Sequence, residues 1–106
     1  IAAQANQIWK ARECGVDSVE FHTGTYAHAA GKSAVATELH RLKVMTILAR
    51  SLGLHVAAGH GLNYQNTHAV AQIDGIEELN IGHSIISQAV FVGLEDAVKE
   101  MLKLCK

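Results

Sequence analysis

The stretch Gly15-Val16-Asp17-Ser18-Val19-Glu20-Phe21-His22-Thr23-Gly24 decides how the rest of the chain is read. From Val16 to His22 the side chains alternate. Val19 and Phe21 point one way, and Ser18, Glu20 and His22 point the other, with the two-residue period of a strand. Central strands of an open, doubly wound sheet are apolar on both faces, because helices cover both. A strand with a carboxylate and an imidazole on one face suits the lumen of a barrel better.

Working outward, residues Ala2 to Glu13 read as a helix with Ala5, Ile8 and Trp9 on one side. It stops at Cys14-Gly15, where glycine supplies a left-handed cap. After the strand, Thr23 to Gly31 reads as a long loop. From Ser33 to Leu52 the apolar residues Val35, Leu39, Leu42, Met45, Leu48 and Leu52 recur at steps of three and four, the spacing of an amphipathic helix. Gly53 closes that helix, with Leu54 placed to pack back as in a Schellman cap. Leu54 to Ala58 has strand length, and Asn63 is placed to cap a helix running to about Gln72. Asp74-Gly75 is a turn and Leu79 to Ile81 a third short strand. Ser84 to Val92 and Leu94 to Leu104 read as two final helices separated at Gly93, with Val98, Met101, Leu102 and Cys105 as the apolar stripe of the second. Strands alternating with helices imply parallel pairing, and the polar face of the first strand makes a barrel segment the expected architecture.

The residues with chemical potential gather at the C-terminal ends of the three strands: Glu20 to Gly24, Ala58 to Gly61 and Asn80 to Ser84. In a βα barrel that rim is where side chains from several strands converge over one mouth. His60, with a glycine on either side, is accessible, and an imidazole is the natural general acid or base near neutral pH. Glu20 lies opposite the apolar face of its strand, where it can polarise an intermediate or steer a proton. Gly82-His83-Ser84 opens a helix, so unpaired backbone amides and the positive dipole end make an anion site. His22 is a further rim candidate. His28, His40, His55 and His68 have no partner pattern and read as structural or surface residues, and neither Cys14 nor Cys105 has surroundings that favour a reactive thiolate.

Composition narrows the classes. About half of the 106 residues are hydrophobic and the net charge is −1, which is no disordered composition. Nine Lys plus Arg against ten Asp plus Glu leave no basic field for nucleic acid or an anionic membrane. No apolar run approaches the roughly 18 to 20 residues that span a bilayer. The two cysteines form no disulfide framework and fit a reducing cytoplasm. Proline is absent and histidine, at seven, is abundant. The chain opens on Ile1 inside helix-like sequence, and residues 1–106 are expected to be part of a longer protein.

Taken together, three segments carry a resemblance. Val19-Glu20-Phe21-His22-Thr23-Gly24, Val56-Ala57-Ala58-Gly59-His60-Gly61-Leu62-Asn63 and Glu78-Leu79-Asn80-Ile81-Gly82-His83-Ser84-Ile85-Ile86, at these separations, closely resemble the C-terminal part of the pyridoxine 5'-phosphate synthase family. The likeness runs from about Gln7 to about Lys103. It implies a TIM (β/α)8 barrel with extra helices, of which residues 1–106 are the C-terminal part of a single domain: the last three βα units and the C-terminal helices. It implies a transferase that condenses 1-deoxy-D-xylulose 5-phosphate with 3-amino-2-oxopropyl phosphate in vitamin B6 biosynthesis, without metal or organic cofactor, in a cytoplasmic homo-octamer.

Carried over residue by residue, the resemblance makes His60 the proton donor and Glu20 the transition-state stabiliser. Gly61, Gly82 and His83 bind the aminoketone phosphate. The family's remaining catalytic histidine and glutamate, and the arginine and Asn/Asp-His residues that hold the substrates, come from the first half of the barrel and have no counterpart here. Two other readings compete. One is a metal-dependent barrel hydrolase with His22, His60 and His83 on one zinc. The other is an inactive half-barrel that serves as a binding module.

Overall fold

The computed structural model describes residues 1–106. Its elements run α1 (Ala5–Glu13), β1 (Ser18–His22), α2 (Gly24–Ala27), α3 (Lys32–Ser51), β2 (His55–Gly59), α4 (Thr67–Ala71), β3 (Ile76–Asn80), α5 (His83–Val92) and α6 (Leu94–Leu104). The three strands form one parallel sheet in the order β1-β2-β3. Mixed α/β architecture with parallel pairing is what the alternation of periods demanded.

The main core lies on one face of the sheet. Val19 and Phe21 of β1, and Val56 and Ala58 of β2, join Ile8 of α1, Tyr26 of α2, Leu42 and Ala49 of α3, and Val70 of α4 in a single core. Leu79 of β3 and Ile81 just beyond it pack against that core. The opposite face carries Ser18, Glu20 and His22 on β1, in register with His55, Ala57 and Gly59 on β2. Glu78 and Asn80 of β3 continue the two upper rows. No helix covers this polar side. The small residues of β2 let the larger polar groups of both neighbours lean across it, so Ala57 is 5 % exposed although it faces away from the core.

The ends of the elements follow local chemistry. At the end of α3, Gly53 has φ 80°; its N–H donates to Arg50 O and that of Leu54 to Ala49 O, the two bonds of a Schellman motif. The stripe from Val35 to Leu52 faces the core as its spacing required. α1 begins at Ala5 rather than Ala2 because Ile1 is engaged elsewhere: its amino group donates to Glu20 O at 2.7 Å, and His22 N–H donates to Ile1 O at 2.8 Å. That is the bonding of a parallel bridge opposite Phe21, on the edge of β1 away from β2.

Several expected boundaries need correcting. The loop from Thr23 to Gly31 contains α2, whose turn closes through Ala27 N–H to Thr23 O and His28 N–H to Gly24 O. Asn63 caps a turn instead of starting a helix directly: its Oδ1 accepts from Gln65 and Asn66 N–H, and α4 follows only at Thr67. β3 starts at Ile76, before the expected Leu79, because Glu77 is held by Arg50 and His55 and Glu78 faces the polar side. In α6 the buried residues are Ala97 and Met101, whereas Val98 and Leu102 are exposed. Trp9 is half exposed beside a fully buried Ile8. No helix is long and apolar enough to cross a membrane.

Candidate active site

The parallel register brings the three strand ends to one rim. Above β1, Thr23 is fully buried; its N–H donates to Gly59 O and its hydroxyl to His60 O at 2.6 Å. Thr23 therefore ties the end of β1 to the first residue beyond β2. In the sequence alone, a threonine after a strand signals only a turn.

His60 is the one non-glycine residue with positive φ, at 90°, and Gly61 follows at 77°. Left-handed backbone at an imidazole costs on the order of 1–3 kcal/mol and persists only where the surroundings hold it. Here the Thr23 hydroxyl holds the carbonyl and His22 holds the ring: the two imidazoles stack with centroids 4.0 Å apart and planes inclined by 26°. Gly24 makes the stack possible. A Cβ on Gly24 would lie 2.5 Å from His22 Cε1 and 3.1 Å from His60 Cδ2. A Cβ on Gly61 would lie 2.7 Å from that of Ala27, so α2 also rests against this turn.

Beyond His60, an open concavity of about 520 Å³ is lined by His60, Gly61, Asn63, Asn80, Gly82 and His83, among others. Four of the five residues expected to act thus border one space. Gly82 is the N-cap of α5, and Ile86 is the first residue of that helix whose N–H reaches a backbone acceptor, Gly82 O. The amides of His83, Ser84 and Ile85 are left without one, which is the anion-binding arrangement of a helix start. The Ser84 hydroxyl donates to Leu62 O and braces the helix against the loop after β2.

Glu20, the fifth, stands on the polar face below the rim. Its Oε1 accepts from Asn80 Nδ2 at 2.5 Å, and the same nitrogen lies 3.4 Å from Glu78 Oε2. The histidines without an expected role have structural partners in three cases: Gly24 O for His28, Glu77 for His55 and Leu104 O for His68. No three His, Cys, Asp or Glu residues of this chain are arranged to hold a metal ion, so His22, His60 and His83 form no zinc site here. Burial pushes the Cys105 thiol above its ordinary value, away from the thiolate.

Comparison with known families gives a match over residues 1–106 to PdxJ, described as pyridoxal phosphate biosynthesis protein PdxJ. The chain belongs to the PdxJ family. It is 50 % identical over 104 residues to the pyridoxine 5'-phosphate synthase of Alcanivorax borkumensis, covering 98 % of this chain and 43 % of that one. It is 51 % identical over 106 residues to that of Pelodictyon phaeoclathratiforme and 48 % over 106 residues to that of Geobacter sulfurreducens, covering 45 % and 44 % of those chains. This PdxJ chain spans less than half the length of the curated relatives it matches.

Proposed function

We propose that residues 1–106 supply the last three βα units and the C-terminal helices of a TIM-barrel pyridoxine 5'-phosphate synthase. The observation that carries the reading is the shared concavity of His60, Gly61, Gly82 and His83 at the start of α5, with Glu20 on the polar face beneath. An acid–base imidazole beside free helix amides is what a phosphorylated substrate and a proton-transfer reaction need together. The barrel is supported by the sheet: its strands follow chain order, helices α1 to α4 pack on one face, and the Ile1 backbone occupies the neighbouring-strand position beside β1. Closure into a barrel turns the uncovered polar face into a lumen.

In this reading the substrates are 1-deoxy-D-xylulose 5-phosphate and 3-amino-2-oxopropyl phosphate. The amides at Gly61, Gly82 and His83 hold the aminoketone phosphate, so that binding energy remote from the reacting atoms positions them. His60 donates a proton to a departing oxygen, and the Glu20 carboxylate stabilises the cationic, imine-like charge that develops as amine and carbonyl condense. The remaining catalytic groups come from the other half of the barrel, in a cytoplasmic homo-octamer.

His60→Ala in the intact protein is expected to lower kcat by about 10² to 10⁴, the worth of a positioned general acid. KM for the phosphorylated substrates should change little, since the helix amides remain. Steady-state kinetics read both values, and near-normal turnover would remove His60 from this role.

A further inference from the structure

The uncovered face of the sheet holds two carboxylates with no cation beside them. Neither Glu20 nor Glu78 has a lysine, arginine or histidine nitrogen within 4.0 Å, since every ion pair of the chain lies elsewhere. A carboxylate accepts hydrogen bonds and donates none. The Glu20 side chain has a single donor in this chain, Asn80 Nδ2, which also faces Glu78 Oε2. One primary amide therefore stands between two acids and directs its hydrogens toward both.

The reach from Asn80 to Glu20 crosses the whole sheet. Glu20 lies in the row of Ala57 and Glu78, and Asn80 one row higher, opposite Gly59 and His22. The bond spans β2 over the one position without a side chain. A Cβ on Gly59 would lie 2.9 Å from Asn80 O, 3.1 Å from Asn80 Cβ and 3.2 Å from Glu20 Oε2. Any larger residue there would press both partners apart. Glycine at 59 and asparagine at 80 thus work as one device, which fixes the direction of the Glu20 carboxylate and keeps it clear of Glu78.

We propose that Asn80 is a positioning residue that orients the Glu20 carboxylate for charge stabilisation during the condensation. This rests on the reading of Glu20 given above. Asn80 does its work through a donated hydrogen bond, so shape alone is no substitute for it.

The test uses the full-length synthase and four variants: Glu20→Gln, Asn80→Asp, Asn80→Ala and the double variant Glu20→Gln/Asn80→Ala. Asn80→Asp keeps the shape of the side chain and, above neutral pH, has no proton to donate. Both Asn80 variants are expected to lose about 10- to 100-fold in kcat, the worth of a hydrogen bond to a charged group. KM for both phosphates should stay within about twofold, because only a transition-state interaction is removed. In the Glu20→Gln background, adding Asn80→Ala should cost less than about a further twofold, because the two side chains act as one unit. Wild-type kcat in Asn80→Asp, or losses that multiply in the double variant, would overturn the proposal while leaving Glu20 its role. Wild-type turnover in Glu20→Gln would overturn the reading of Glu20, and the Asn80 proposal with it.

Discussion

Tyr26 shows how much of this rim is fixed by single polar contacts made out of water. Its ring is buried in the core and its hydroxyl donates to Asn66 O at 2.6 Å, joining α2 to the turn before α4. Burial raises the phenol above its ordinary value of 10.0, since the phenolate would lose its hydration. The protonated form is therefore the one the fold favours. Its contribution is complete below the unfolded value and is lost as pH climbs through the folded one. Tyr26→Phe should cost about 0.5–1.5 kcal/mol at neutral pH, read as a lower denaturant midpoint at unchanged slope. An unchanged midpoint would show that the bond contributes nothing net.

At the same scale, the gathering of His60, Gly61, Gly82 and His83 around one concavity is legible, because glycines and strand ends mark that rim in the sequence. The parts played by Thr23 and Asn80 are not. Both work through contacts 37 and 60 residues away in the chain, to His60 and to Glu20, and a threonine or asparagine at a strand end has a local explanation already.

Among the elements, the helices with a long apolar period were readable to within a residue or two, as α3 shows, because burial and capping agree there. The short pieces were not. α2 is stabilised by two backbone bonds and by packing of Tyr26, and β3 by partners for Glu77 that come from α3 and β2, so neither leaves a periodic trace. Two glycines separate the structural and functional demands on such turns. At Gly53, which has φ 80° and open space around its Cβ position, alanine should cost about 1–2 kcal/mol of stability through the left-handed backbone alone. Activity should be retained. At Gly24 the φ is unremarkable and the obstruction is the His22–His60 stack, so alanine should cost kcat far more than it costs stability. Thermal melts and turnover on the two variants decide this; equal effects on both readouts would mean that the stack has no part in the reaction.

Seen as a whole molecule, the chain is finished on one side of its sheet and open on the other. α5 buries none of its residues, with Val90 80 % and Phe91 84 % exposed, and it packs chiefly against α6. An exposed apolar patch on a helix next to an uncovered polar sheet face is a surface made to be covered. In the barrel proposed above, the polar face would become the lumen. More than half of each matched relative lies outside the matched region, and in the proposed barrel that part would cover both the patch and the sheet face. Parallel pairing could be read from the alternation of strands with helices, and a one-sided core from the alternation within β1. Closure into the proposed barrel has no trace in these strands, because it would depend on residues outside these 106.

The most direct test of this account follows product formation by the purified full-length protein, wild type and His60→Ala, with 1-deoxy-D-xylulose 5-phosphate and 3-amino-2-oxopropyl phosphate together. The wild type should release pyridoxine 5'-phosphate and inorganic phosphate in equal amounts, with neither formed when one substrate is omitted, and the variant should be slower by about 10² or more. No pyridoxine 5'-phosphate from a folded, intact protein would contradict it.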